Sequence, residues 1–265
     1  MSDVPTVLLL HGVQSSRTTW WRVGQDLVDL GWRVLALDLL GYGGRVGPRS
    51  TTVETMANDV LAQVHGQRVD LIVGYSLGAI VGLKVVGLRT GRVRGVAIED
   101  PPAANGSLDL DSVATKLEAA VIRSRTDPDA EVAGLLDAHP LWVADDARRL
   151  VESRRVLDIE RVGAFLRANH WNLPELVAAS PVPVHLLTAA SERDSALLEP
   201  DRGTLLSTLP PERVSRIAGG HTLHRDRPAL WLNAVLTFAE SLDLRAPRVD
   251  GYAGCATWAG ASAKS

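Results

Sequence analysis

The first hundred residues alternate short apolar runs with longer amphipathic ones, and few folds satisfy that rhythm. "PTVLLLHG" is a strand-like run ending at Gly12. "TTWWRVGQDLVDLG" follows with Trp20, Val23, Leu27 and Leu30 near one helical face and Gly31 as a stop. "RVLALDLLGYGGR" reads as a strand and a glycine-rich loop. "TTVETMANDVLAQVHG" reads as a helix with a capping box from Thr51 to Glu54 and an end at Gly66. A third strand, "VDLIVG", a helix from Leu77 and a fourth strand, "VRGVAIEDPP", complete the run. The strand runs are apolar without a period of two, as strands covered on both faces must be. Short connections between strands and helices then imply a parallel sheet with helices on either side.

Past Pro102 the rhythm breaks. Residues 103–174 hold helical patterns and no convincing strand; the strands return at "VPVHLLTAA" and "ERVSRIAGG", and "ALWLNAVLTFAESL" closes as a helix. The expected architecture is α/β: a mostly parallel six-stranded sheet flanked by helices, with a helical insertion after the fourth strand. The core spans 1–102 and 175–245, and 103–174 forms a cap. Residues 246–265, rich in Gly, Ala and Ser, read as a loosely held tail.

A parallel sheet does its chemistry at the carboxyl ends of its strands. Here those ends carry His11-Gly12-Val13, Asp38, Ser76, Glu99-Asp100, Asp194 and His221. "GYSLG", residues 74–78, fits G-x-S-x-G between a strand and a helix. The glycines relieve crowding in a sharp turn that holds Ser76 outward, while the following helix aims its N-terminal N–H groups at the serine oxygen. A serine hydroxyl needs a base. Of seven histidines, His221 in "AGGHTLHRDRP" sits on a flexible loop after the last strand, within swing of Ser76; His224 reads as a packing residue and His11 as an orienter of its own loop. An imidazole base needs an acid, and two positions compete: Asp194 after the fifth strand, and Asp100 with Glu99 after the fourth. Backbone N–H groups of Leu77 and Val13 are the candidate oxyanion donors.

Taken in order, "LLLHG", "LDLLGYGGR", "VGYSLGA", "HLLTAASERD" and "IAGGHTLHRDRP" resemble the α/β-hydrolase superfamily over most of residues 5–240, and its esterase-like members with a helical lid in particular. The resemblance implies a Ser76 nucleophile, a His221 base and, from the order Ser…Asp…His, Asp194 as the acid with Asp100 as the alternative. It implies acyl-enzyme hydrolysis of a carboxylic ester, lactone or thioester. C–C bond hydrolysis or cofactor-free perhydrolysis would use the same triad, and a non-catalytic ligand-binding receptor is the reading from another class. The insertion becomes a lid whose His139, Leu141, Trp142, Phe165 and Trp171, with His11 and Trp20 from below, would line a pocket for a small, mostly apolar substrate.

Composition narrows the partners. A net charge of −3 gives no electrostatic reason to expect nucleic acid or an anionic membrane. The single cysteine, Cys255, forms no intrachain disulfide, no histidine pattern suggests a metal, and no run is long enough to span a membrane or serve as a signal. The expected partner is a small-molecule substrate, without cofactor, acting on a cytoplasmic monomer or homodimer.

Overall fold

A computed structural model of the chain describes residues 4–48, 51–88, 93–103 and 109–246. Six strands form the sheet: β1 (Thr6–Leu10), β2 (Arg33–Leu37), β3 (Leu71–Tyr75), β4 (Gly95–Glu99), β5 (Val184–Ala189) and β6 (Val214–Ile217). All five pairings are parallel, in the order β2-β1-β3-β4-β5-β6. The order reverses between β1 and β3, and the crevice at such a reversal is where open parallel sheets bind ligands.

Eleven helices accompany the sheet among the described residues: α1 (Trp21–Asp29), α2 (Val53–Gln63), α3 (Leu77–Leu88), α4 (Leu110–Thr126), α5 (Pro128–Ala138), α6 (Ala144–Arg155), α7 (Ile159–Ala168), α8 (Leu173–Ala178), α9 (Asp201–Thr208), α10 (Leu223–Asp226) and α11 (Pro228–Ser241). Alternate strand residues feed two separate cores. Leu8, Leu10, Ile72, Val96 and Ile98 pack with α2 and α3 on one face. Val7, Leu9, Val73 and Ala97 pack with α1 and α11 on the other. Both faces being covered explains why the strands carry no polar alternation. Helix α3 runs behind the sheet centre and is buried nearly all round, as its unbroken apolar composition requires.

The insertion forms α4 to α7, close to the four helical patterns read from the sequence. Helix α8 returns the chain to the core by packing on α3. Helices α8 and α9 were not anticipated. The N-cap of α2 is Thr52, reciprocated by Thr55, one residue later than the box expected from Thr51 and Glu54. Of the expected tail, residues 247–265 lie outside those described.

The helical insertion is tied to the rest of the fold by hydrogen bonds on two sides. On one side, α6 bonds to the segment after β1: Ser153 Oγ lies 2.7 Å from Ser16 Oγ, and Trp21 Nε1 donates to Asp146 Oδ1 at 2.9 Å. On the other, Trp171 Nε1 donates to the Pro102 carbonyl at 2.9 Å.

Candidate active site

The turn from β3 into α3 brings strand and helix backbones so close that only glycine fits at two places. A Cβ on Gly74 would be driven into the Gly78 carbonyl, and one on Gly78 into the Leu10 carbonyl. Between them Ser76 sits at φ +51°, a left-handed conformation that non-glycine residues seldom adopt. Its own N–H donates to the Glu99 carbonyl at 2.9 Å, which pins the turn to the neighbouring strand. Strain clusters here: of the four non-glycine residues with positive φ among those described, Gln14, Ser76 and Asp100 belong to this site.

His221 lies on the loop after β6 with Nε2 3.2 Å from Ser76 Oγ. Its Nδ1 lies 2.7 Å from Asp100 Oδ2. A carboxylate at Nδ1 holds the proton there, which leaves Nε2 as the acceptor for the serine hydroxyl. The acid against His221 is therefore Asp100 and not Asp194. Asp194 is exposed in a short 3-10 turn, and among the described residues its side chain makes no hydrogen bond to His221. The segment that carries Asp194 still contributes, as a set of donors. Ser195 Oγ donates to Asp100 Oδ1 at 2.6 Å and Ala196 N to Oδ2 at 2.8 Å, and Thr188 Oγ1 adds a bond at 3.2 Å. Burial pushes the Asp100 carboxyl up, but the hydrogen bond and charge of His221, with the Ser195 and Ala196 donors, outweigh it and hold the group below the usual carboxylate range.

Val13 and Leu77 both border the space above Ser76. Among the described residues neither backbone N–H is matched to an acceptor within the protein. For Leu77 that follows from its place as the first residue of α3.

Above these groups lies a cavity of about 350 Å³ between the sheet and the cap. Ser76 and His221 form part of its wall, as do His139, Trp142 and Trp171 among the expected pocket residues. The other four face elsewhere. His11 is wholly buried, with Nδ1 2.8 Å from the Gly12 carbonyl and Nε2 accepting from Leu39 N at 3.1 Å; it orders its loop. Burial lowers its pKa against the opposing influence of Asp38. Trp20 is buried beneath the site, its ring 4.3 Å from that of His224. Leu141 is exposed, and Phe165 packs into the core while its neighbour Leu166 takes the wall position.

The wall is also less apolar than expected. Pro102, Val113, Leu135, Leu150, Leu166 and Trp171 supply a greasy portion, but Gln14, Arg154 and Arg225 border the same space and, among the described residues, no aspartate or glutamate does. Sequence reading missed both arginines. For Arg154 a signal existed: Ala147, Leu150, Val151 and Arg154 recur at helical spacing on the buried side of α6.

Among the described residues no three His, Cys, Asp or Glu side chains gather as a metal site would need, and no helix is long and apolar enough to cross a membrane.

Comparison with known proteins agrees with this architecture. A family model described as the alpha/beta hydrolase family matches residues 7–235. Among curated proteins, Uncharacterized protein Rv2715 of Mycobacterium tuberculosis is 39% identical over 84 residues; the match spans 30% of this chain and 24% of that protein's length. Among solved structures, E-2-(acetamidomethylene)succinate hydrolase is 20% identical with a TM-score of 0.71, over 90% of this chain and 92% of that one. The esterase RhEst1 from Rhodococcus sp. ECU1013 is 23% identical with a TM-score of 0.68, over 90% and 91% of the two chains. The enol-lactonase from Burkholderia xenovorans LB400 is 18% identical with a TM-score of 0.69, over 90% and 92%.

Proposed function

The chain belongs to the alpha/beta hydrolase family, and from that premise we propose that it is a serine hydrolase cleaving a carboxylic ester, lactone or thioester through Ser76, His221 and Asp100. The observation that carries the reading is the unbroken line of contacts from Asp100 through His221 to Ser76, opening into a cavity. His221 Nε2 takes the Ser76 proton as Oγ attacks the substrate carbonyl. Asp100, ionised and fixed by four donors besides His221, holds the ring in the required tautomer and balances the imidazolium as it forms. The tetrahedral oxyanion meets the N–H groups of Val13 and Leu77, a donor pair in which each member contributes about 2.7–4 kcal/mol in serine hydrolases. His221 then delivers its proton to the leaving group, and a water activated by the same nitrogen releases the acid from the acyl-enzyme.

The 3.2 Å separation of Ser76 and His221 is ordinary for a site without substrate, where such bonds tighten only in the loaded complex. Hydrolysis of a C–C bond and cofactor-free perhydrolysis would employ the same three side chains, so substrate choice rather than triad geometry separates them.

The test is a fluorophosphonate probe followed by a panel of p-nitrophenyl esters, lactones and acyl-thioesters. Ser76 should label covalently, and Ser76→Ala and His221→Ala should each remove turnover by about 10⁴-fold or more. Folded protein that neither labels nor turns over any member of the panel would favour a ligand-binding receptor on the same fold.

A further inference from the structure

The two arginines of the cavity wall differ in how much the protein asks of them, and Arg225 has little to do. Arg225, on α10, is only 3% exposed. A guanidinium presents five N–H donors. Among the described residues the Arg225 side chain makes one hydrogen bond, from Nη2 to Ser15 Oγ at 3.2 Å, and its buried Nε has no partner. No described carboxylate lies within ion-pair distance of it. Its plane is instead held over the Trp142 ring, 4.8 Å from the ring centre. Burying a charge with its donors idle is costly unless something completes the site.

The carboxylates that act on Arg225 from a distance are Asp146, Glu99 and Asp226. Each is already engaged. Asp146 accepts from Trp21 Nε1 and Val143 N, Asp226 from Trp142 Nε1 and Gly220 N, and Glu99 from His224 and Trp231. They moderate the charge without occupying its hydrogen bonds.

Arg154 reaches the same space from α6. It is 8% exposed, donates from Nε to Gln14 Oε1 at 2.7 Å, and pairs through Nη1 with Glu131 Oε1 at 2.8 Å. Arg123 also binds Glu131, at 2.7 Å, so two guanidiniums share one carboxylate and a positive charge is left over. Burial lowers Arg154 to about 10, well above neutrality. Both arginines thus touch the segment that follows Val13, one at Gln14 and the other at Ser15.

We propose that this cavity takes a substrate carrying a carboxylate, seated against Arg225 and Arg154 while its reacting carbonyl lies over Ser76. The planar fork of a guanidinium matches a carboxylate in two parallel hydrogen bonds, and among the described residues no aspartate or glutamate lines the cavity beside it. A volume of about 350 Å³ suits a small half-ester, lactone acid or acyl monoanion, with the apolar wall at Val113, Leu166 and Trp171 receiving its carbon chain. The inference rests on the hydrolase reading for its carbonyl and on the arginines for its anion, and the two parts are tested separately.

Two matched pairs of esters read the anion in turnover: mono-p-nitrophenyl glutarate against its methyl ester, and carboxyphenyl butyrate against its methyl ester. In at least one pair the free acid should be preferred in kcat/KM by about tenfold or more, and Arg225→Gln should abolish that preference. Arg225→Lys, which keeps the charge without the fork, should retain part of it and serves if the glutamine variant does not fold. Absence of preference in both pairs, or a preference that survives Arg225→Gln and Arg154→Gln alike, overturns the proposal. Calorimetry of glutarate with Ser76→Ala reads the subsite without turnover: binding is expected, and Arg225→Gln in that background should lose it. Butyrate bound as tightly as glutarate would mean that the arginines serve the carboxylate which hydrolysis itself produces, and would overturn the inference. Glutarate binding in a protein that neither labels at Ser76 nor cleaves esters would overturn the hydrolase reading and leave the subsite standing.

Discussion

Glu99 and Asp100 are neighbours in sequence, and each holds Nδ1 of a histidine from the segment after β6, at 2.8 and 2.7 Å. Consecutive side chains leave the end of β4 in different directions. Asp100 turns toward the donors that follow β5, and Glu99 toward Trp231 of α11. The two imidazoles then diverge. His221 has a side chain 34% exposed and an Nε2 that reaches Ser76; His224 is 2% exposed, lies against Trp20 and Trp231, and its Nε2 has no partner. An acid at Nδ1 does not by itself give two imidazoles the same surroundings. One meets Ser76 and the cavity, while the other is sealed among tryptophans and ties α10 to the end of β4.

The sharpest way to break this contrast is at the acids. Asp100→Asn should lower kcat by roughly 10³–10⁴-fold, because an amide at Nδ1 no longer fixes the tautomer. Asp194→Asn should stay within about twofold. A larger loss from the second substitution would return the acid to the position expected from chain order.

The buried pair should fail in the opposite sense. Glu99→Gln or His224→Phe removes one half of a sealed hydrogen-bonded pair and should cost about 3–5 kcal/mol of stability. Well below the melting temperature, the folded fraction should keep most of its turnover. Denaturant titration alongside kcat measurement checks both, and a stable variant with no activity would show that His224 works in the reaction.

A third histidine separates fold from chemistry by pH. His185 of β5 is buried, with Nε2 3.0 Å from Ser215 Oγ, and burial with help from Arg213 lowers its pKa to about 4. Between its ordinary value near 6.5 and that value the unfolded chain takes a proton that the folded chain refuses. Stability should therefore fall as pH drops through this window, by up to roughly 3 kcal/mol, and His185→Gln should flatten the slope. Asp100, held below the usual carboxylate range, acts lower down: its contribution is complete above about pH 4 and is lost only as pH falls through its depressed value. Urea melts across pH 3–7 separate the two.

Much of this was legible in one dimension. Strand–helix rhythm, the glycine-flanked serine and a histidine past the last strand are local signals, and local signals survive in sequence. The carboxylate partner of His221 was not legible, because chain order and sheet order give different neighbours. Beside Ser76 the sheet puts β4, and the segment after β5 closes over it from the far side, supplying Ser195 and Ala196 as donors where an acid was expected. The cavity wall showed the same limit. Tryptophans at 142 and 171 stand out in sequence as candidate pocket formers, whereas nothing singled out Arg154 and Arg225, which α6 and α10 turn inward.

The left-handed backbone at Ser76 bears on how such a chain responds to selection. The hydroxyl makes one long hydrogen bond, so its loss would cost the fold little, while glycine at that φ would shed strain of about 1 kcal/mol. Under the proposed mechanism, heat resistance and turnover therefore pull this codon in opposite directions. A library screened only for survival at high temperature would drift toward glycine at position 76 and arrive at a sturdier protein without the hydroxyl that the proposed reaction uses.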